Sequence, residues 1–199
     1  RAVKILYPNK METHPLKPFL PKSARLLMLG TFPPQREKWC MDFFYPNPIN
    51  DMWRIFGIVF FKNRDFFWDE KSKSFRKNQI TDFLEDKGIA LYDTALSVNR
   101  LRNNASDNFL EIVERTDLKS LLKAIPQCRY LVCTGAKAAQ TAADIMSTRP
   151  PKQGEDIEVE YAGRNLKFYR MPSSSRAYPM KIENKAAAYA QMFSECGIL

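Results

Sequence analysis

Two short stretches of this sequence carry side chains suited to gripping a flat, polar ligand. In the first, Tyr45-Pro46-Asn47-Pro48-Ile49-Asn50-Asp51, a rigid ring, two amides and an acid lie close together. Tyr45 can sandwich a planar group, and Asn50 supplies a donor and an acceptor without a charge. Each has a plainer use: Tyr45 as a core aromatic beside Phe43 and Phe44, and Asn50 or Asp51 as the N-cap of a following helix. The second stretch, Ser173-Ser174-Ser175-Arg176, offers backbone N–H groups, small hydroxyls and a guanidinium, a set that holds phosphates. A plain solvated arginine is the other reading of Arg176. His14 is the only histidine; its polar, proline-bounded surroundings mark it as a surface residue.

Both stretches follow strands. Residues 26–29 are continuously apolar, which suits a strand buried on both faces, and Gly30, Pro33 and Pro34 end it. A buried helix over 52–61 comes next, with Trp53, Ile55, Phe56, Val59 and Phe60 toward the core. Residues 62–78 mix Phe66, Phe67, Trp68 and Phe75 with charged residues. They read as an insertion packing its aromatics on the body, or as a lid or loop whose rings meet bases. The pattern then predicts a helix over 80–87 stopped by Gly88, and a strand over 89–92 ending at Asp93. A polar segment over 94–108 carries Arg100, Arg102, Asn103, Asn104, Ser106 and Asp107, and a helix over 109–114 is capped by Ser106 or Asp107. Further on come a helix over 118–125, a strand over 130–134, an alanine-rich helix over 136–146, a hairpin of strands 157–161 and 166–171, and a last helix over 182–194. Strand and helix alternate, so the expected class is α/β: three layers, α/β/α, around a short central, mostly parallel sheet. Ligands of such sheets bind at the strands' carboxyl ends, where both stretches lie.

A chain of 199 residues that is 45% hydrophobic can bury one substantial core. A single domain over 1–199 is expected, with an extended, proline-rich arm over 1–22. Thirty-one Lys plus Arg against twenty-two Asp plus Glu leave a net charge of +9, which favours a polyanionic partner. Cys40, Cys128, Cys133 and Cys196 form no Cys-x-x-Cys pair, so neither metal nor iron–sulfur cluster is expected. Cys128 and Cys133 read as buried thiols of a reducing, cytoplasmic setting. No run is apolar enough to span a membrane, and a monomer is expected.

The segments Gly30-Thr31-Phe32-Pro33-Pro34 and 45–53, YPNPINDMW, resemble motif 1 and the following loop of the uracil-DNA glycosylase superfamily. The second is similar to Y-P-G-P-x-N-x-F-W and F-A-H-P-x-N-x-F-W of its mismatch-specific members. In those, motif 1 is G-I-N-P-G, whose Asn positions the attacking water; here Phe32 stands there. A hydrophobic residue at that point, with the later Asn kept, resembles the hypoxanthine-DNA glycosylase branch. Met171-Pro172-Ser173-Ser174-Ser175-Arg176-Ala177 resembles its motif 2, L-P-S-x-S-P-A, with Arg176 as a departure. Tyr92-Asp93, Asn104-Ala105-Ser106-Asp107 and Gly135-Ala136-Lys137-Ala138 match more loosely. The resemblance covers most of residues 25–193, but neither the arm nor 62–78.

It implies a glycosylase-like fold and cleavage of a damaged base that has been flipped out of DNA, with no cofactor and no metal. The implied base pocket comprises Gly30, Thr31, Phe32, Pro33, Tyr45 and Asn47; Asn50 is the catalytic candidate, and Ser173, Ser174, Ser175 and Arg176 would contact DNA. Because Phe32 offers no polar atom, catalysis must use Asn50 or an acid such as Asp42, Asp51 or Asp93, or be absent. Backbone N–H groups of Thr31 and Phe32 can still meet the departing base. Two other readings stay open: an inactive nucleic-acid-binding member of the superfamily, and a small-molecule-binding α/β protein whose charge is incidental.

Overall fold

The computed structural model describes residues 10–101 and 106–199. Its elements are, in chain order, β1 (Met11–Thr13), β2 (Leu26–Gly30), α1 (Met52–Phe61), β3 (Trp68–Asp69), β4 (Ser74–Phe75), α2 (Lys77–Lys87), β5 (Ile89–Asp93), β6 (Ala95–Arg100), β7 (Leu110–Arg115), α3 (Leu118–Ala124), β8 (Tyr130–Thr134), α4 (Ala136–Met146), β9 (Asp156–Tyr161), β10 (Arg164–Met171) and α5 (Ile182–Glu195).

The apolar runs form the centre, as their burial on both faces requires. β2 pairs in parallel with β5 on one side and β8 on the other, β8 pairs in parallel with β10, and β9 closes the far edge antiparallel. The order β5-β2-β8-β10-β9 reverses direction after β5. Right-handed crossovers therefore put α1 and α2 on one face and α3 and α4 on the other. Ring contacts agree: Phe56 of α1 meets Phe83 of α2 at 6.0 Å and Phe193 of α5 at 5.3 Å, which also seats α5 beside α1. The result is the expected three-layer α/β arrangement. Cys128 and Cys133 are buried in it, and burial pushes the Cys128 thiol up to about 11.

Two expectations change. Residues 95–100 are a strand where a polar segment was expected, and 110–115 are a strand where a helix was expected. With β1 they make an antiparallel sheet in the order β1-β6-β7. The reason is a period of two: Leu110 is buried and Ile112 packs inward, whereas Glu111 and Val113 face out. The inner face is small, made by Ala95, Val98, Leu110 and the ring of Phe32. Arg102, Asn103, Asn104 and Ala105 of the expected turn lie outside the described residues, as do residues 1–9 of the arm.

The described part of the arm is extended along the body: β1 pairs with β6, and Phe19 bridges Leu91. Residues 62–78 fold as a short β3–β4 hairpin whose Phe67 and Phe75 enter the core, and Phe66 stacks on Phe61 at 3.7 Å. Packing on the body is thus what those aromatics do. Among the described residues no helix is long and apolar enough to cross a membrane.

Candidate active site

The carboxyl ends of four parallel strands meet around Gly30. A Cβ atom there would stand 2.7 Å from Asp93 Oδ1, 3.4 Å from the Tyr45 hydroxyl and 3.6 Å from Thr134 Oγ1. Only a residue without a side chain lets groups from β5, the aromatic loop and β8 pack this close to the end of β2. The Tyr45 hydroxyl bonds Thr134 Oγ1 at 3.1 Å, and its ring meets Trp53 edge-on at 5.9 Å. Tyr45 takes φ 51°, an uncommon conformation for a residue with a side chain, which turns its ring back over the strand ends. Burial, and next the charge of Asp93, hold its hydroxyl far above the ordinary tyrosine range, so it stays an O–H. Tyr45→Phe deletes one hydrogen bond while Thr134 Oγ1 keeps its contact to the Leu29 carbonyl. It should cost about 1 kcal/mol, read as a fall of a few degrees in melting temperature.

The second loop lies against the first, as its place after β10 implied. Asn50 and Ser175 form an antiparallel bridge, and the Asp51 N–H donates to the Ser174 carbonyl at 3.0 Å. From α5, buried Lys185 donates to the Ser175 carbonyl at 2.8 Å and the Tyr189 hydroxyl to the Pro172 carbonyl at 2.7 Å. Burial pulls the Lys185 ammonium down, opposed by Asp51. Ser173 and Ser175 shape the turn, their hydroxyl oxygens accepting from the N–H groups of Ser175 and Ala177. Ser174 was expected to reach DNA, but it is packed inside the loop at 3% exposure. Arg176 is half-exposed and pairs with Asp51, Nη2 to Oδ1 at 3.1 Å, so part of its guanidinium is occupied.

The amides are partly used by the backbone. Asp51 is the N-cap of α1, and from one residue before it Asn50 Oδ1 accepts from the Met52 N–H at 3.0 Å, with its N–H₂ unbonded among the described residues. Asn47 Oδ1 accepts from the Ile49 N–H at 3.1 Å and holds the turn. Thr31 is buried and donates to Asp107 Oδ2 at 2.9 Å; burial pushes the Asp107 carboxyl up, while Lys137, bonded to the Asp107 carbonyl, opposes this.

Two placements differ from expectation. The ring of Phe32, expected in the pocket, is buried under the small sheet against Ala95, Val98 and Leu110. The apolar side chain there serves that second core, and only the backbone of Phe32 is left to face a ligand. His14, expected at the surface, is a buried ring whose Nε2 lies 2.7 Å from Asp93 Oδ2. A second arm residue, Glu12, pairs with both Nε and Nη2 of Arg100, which also donates to the Pro33 carbonyl at 2.9 Å. The arm thus clamps motif 1 from outside. Thr134 was missed as a site residue, although it ends a buried strand just as Gly30 does; nothing local to 10–22 signals His14.

An open groove of about 520 Å³ lies elsewhere, lined by Phe61, Phe66, Phe67, Arg76, Gln79, Asp82 and Phe83. It is at the far end of α1, roughly 15 Å from the loops, and the chemistry-bearing residues do not converge on it. Among the described residues no three His, Cys, Asp or Glu side chains gather as a metal would require.

No protein-family profile matches the chain. A hypoxanthine DNA glycosylase of Methanosarcina acetivorans is 26% identical over 122 residues, 61% of this chain and 70% of that protein. A solution NMR structure from the same organism, named as a candidate uracil DNA glycosylase, superposes with a TM-score of 0.60 at 18% identity, covering 94% of this chain and 99% of that one. By sequence the chain is similar to a hypoxanthine DNA glycosylase, and along nearly its whole length it shares the fold of that candidate uracil DNA glycosylase.

Proposed function

We propose that this protein is a DNA base-excision glycosylase that hydrolyses the N-glycosidic bond of a flipped deaminated base, hypoxanthine or uracil, without metal or cofactor. The observation that supports this reading is the register of the two loops: the Asn50–Ser175 bridge joins them near the end of β2, where Asp93, Tyr45 and Thr134 converge on Gly30, the site we assign to the base. In it Tyr45 stacks on the base, Gly30, Thr31, Pro33 and the backbone of Phe32 form the wall, and Asn47 holds the loop. The N–H₂ of Asn50 reaches the base or the water. Ser173, Ser175 and the free edge of Arg176 meet the phosphates, and the net charge of +9 favours the polyanion.

The test is a cleavage assay with duplex and single-stranded oligonucleotides carrying one uracil, hypoxanthine, xanthine or mismatched thymine, followed by alkali to reveal abasic sites. Release of hypoxanthine or uracil is expected. Phe32, apolar and buried where the mismatch-specific enzymes keep an amide, favours one second reading, an inactive member that only binds DNA. No release with enzyme in excess, while binding remains, would select it. Under either reading duplex affinity should fall steeply with salt, several-fold or more between 50 and 200 mM, roughly as the number of phosphates neutralised. Salt-independent or absent binding would point to a small-molecule ligand.

A further inference from the structure

The acids near the two loops are not equivalent. Asp42 is 65% exposed and pairs with Arg36. Asp51 is enclosed by Arg54 and Arg176 where the loops join. Asp107 accepts from Thr31, and Asp93 packs directly on the end of β2: its Oδ1 is the atom that a Cβ on Gly30 would strike at 2.7 Å. Among the described residues no donor bonds that oxygen. The other oxygen, Oδ2, is held by His14. Because His14 Nδ1 accepts from the Leu16 N–H at 3.1 Å, Nδ1 carries no proton and Nε2 is the donor to Asp93. The imidazole is wedged between Phe32, Phe44 and Tyr92, with ring centroids at 5.3, 6.1 and 4.6 Å, so it cannot swing away.

We infer, on the glycosylase reading above, that Asp93 is the carboxylate that accepts the proton of the attacking water and that His14, from the N-terminal arm, is its positioning residue. Water oxygen bonds to the sugar carbon as the C–N bond breaks and its electron pair leaves with the base. Asp93 Oδ1 takes the water's proton and passes it through solvent to the base nitrogen, so the free base and a sugar hydroxyl result. A neutral donor on Oδ2 fixes the carboxylate's rotation without cancelling its charge. That charge also lies near the cation that develops on the sugar. This supplies what motif 1 lacks at Phe32, from a neighbouring strand.

The test uses single-turnover cleavage of the base that the wild-type protein releases, with duplex binding and thermal unfolding measured alongside. Asp93→Asn keeps shape but not basicity, and should slow cleavage about 10²- to 10⁴-fold with duplex affinity unchanged. His14→Phe keeps the wedged ring and should slow it about tenfold or more, while His14→Gln, which can still donate to Oδ2, should recover most of the rate. Gly30→Ala crowds Oδ1 without touching His14 and should lose rate as Asp93→Asn does, which serves if either other variant folds poorly. Asp93→Asn at the wild-type rate, or altered only in affinity or in the base chosen, would overturn the proposal. His14→Phe at the wild-type rate would overturn the role of the arm. A wild-type protein that releases no base would overturn the glycosylase reading and this proposal with it.

Discussion

Asn50→Ala should lose turnover by about 10²- to 10³-fold, the range for removing one group that acts on the reacting atoms, and Asn50→Asp should lose turnover without losing stability. The pair is informative because Asn50 has two jobs on two atoms. Its Oδ1 accepts from the Met52 N–H at the start of α1; alanine forfeits that bond at about 1 kcal/mol, or roughly 2–4 °C of melting temperature in a chain of this size. Aspartate keeps the acceptor and adds negative charge at a helix N-terminus, where it is favourable. What aspartate cannot supply is the amide N–H₂, the part free to hold a base carbonyl or a water. Thermal unfolding and single-turnover cleavage of both variants therefore separate the structural job from the catalytic one. If Asn50→Asp cleaves at the wild-type rate, the amide has no part in the chemistry and Asn50 only supports the start of α1.

Much of this architecture could be read before any coordinates, and what was legible shares one physical basis. β2, β5 and β8 are buried on both faces, so their apolar runs announce them, and Gly30, Gly88 and Gly135 punctuate the chain where the backbone turns. The position of both loops then follows from the rule that parallel strands present their carboxyl ends together. β6 and β7 are different. Only one face of β7 is covered, and its covering includes Phe32, a residue remote in sequence, while β6 reads as polar although its Ser97 and Arg100 are buried. A polar outer face with a two-residue period over so short a stretch looks like a loop or a capped helix. His14 was hidden for a related reason: its burial depends on β1 docking on β6, a tertiary event with no local signature. Phe32 seemed to be a defect in the pocket when considered within its motif alone; seen with Val98 and Leu110, it anchors motif 1 to the second sheet.

Asp51→Ala should be the most destabilising change at the loop junction, by about 3 kcal/mol, whereas Arg176→Ala should cost 1 kcal/mol or less. The two residues form one ion pair, so the difference lies in what each deletion leaves behind. Asp51 is 5% exposed and its Oδ1 receives Arg54 Nη1 at 3.2 Å and Arg176 Nε at 3.1 Å. Without the carboxylate, Arg54, itself 8% exposed, is a buried cation whose remaining contacts are the Pro48 and Asn50 carbonyls and the faces of Trp68 and Phe75. Burial already pulls its guanidinium down, and Arg176 adds to that pull while Asp51 opposes it. Removing a partner from a buried pair commonly costs 3–5 kcal/mol; the lower end applies because Arg176, 44% exposed, can turn to solvent. Arg176→Ala leaves Asp51 still balanced by Arg54, and an exposed guanidinium is well screened. Thermal unfolding should show a drop of roughly 6–12 °C for Asp51→Ala and about 3 °C or less for Arg176→Ala. The double variant should fall close to Asp51→Ala alone, since most of the loss comes from the stranded Arg54. DNA affinity should separate them in the other direction. If Arg176 meets the phosphates as proposed, Arg176→Ala should lower the salt slope by about one, a change that mere loosening of the loops would not produce. Equal melting temperatures for the two single variants would mean that Arg54 finds another partner, and that Asp51 serves the second loop rather than the first helix.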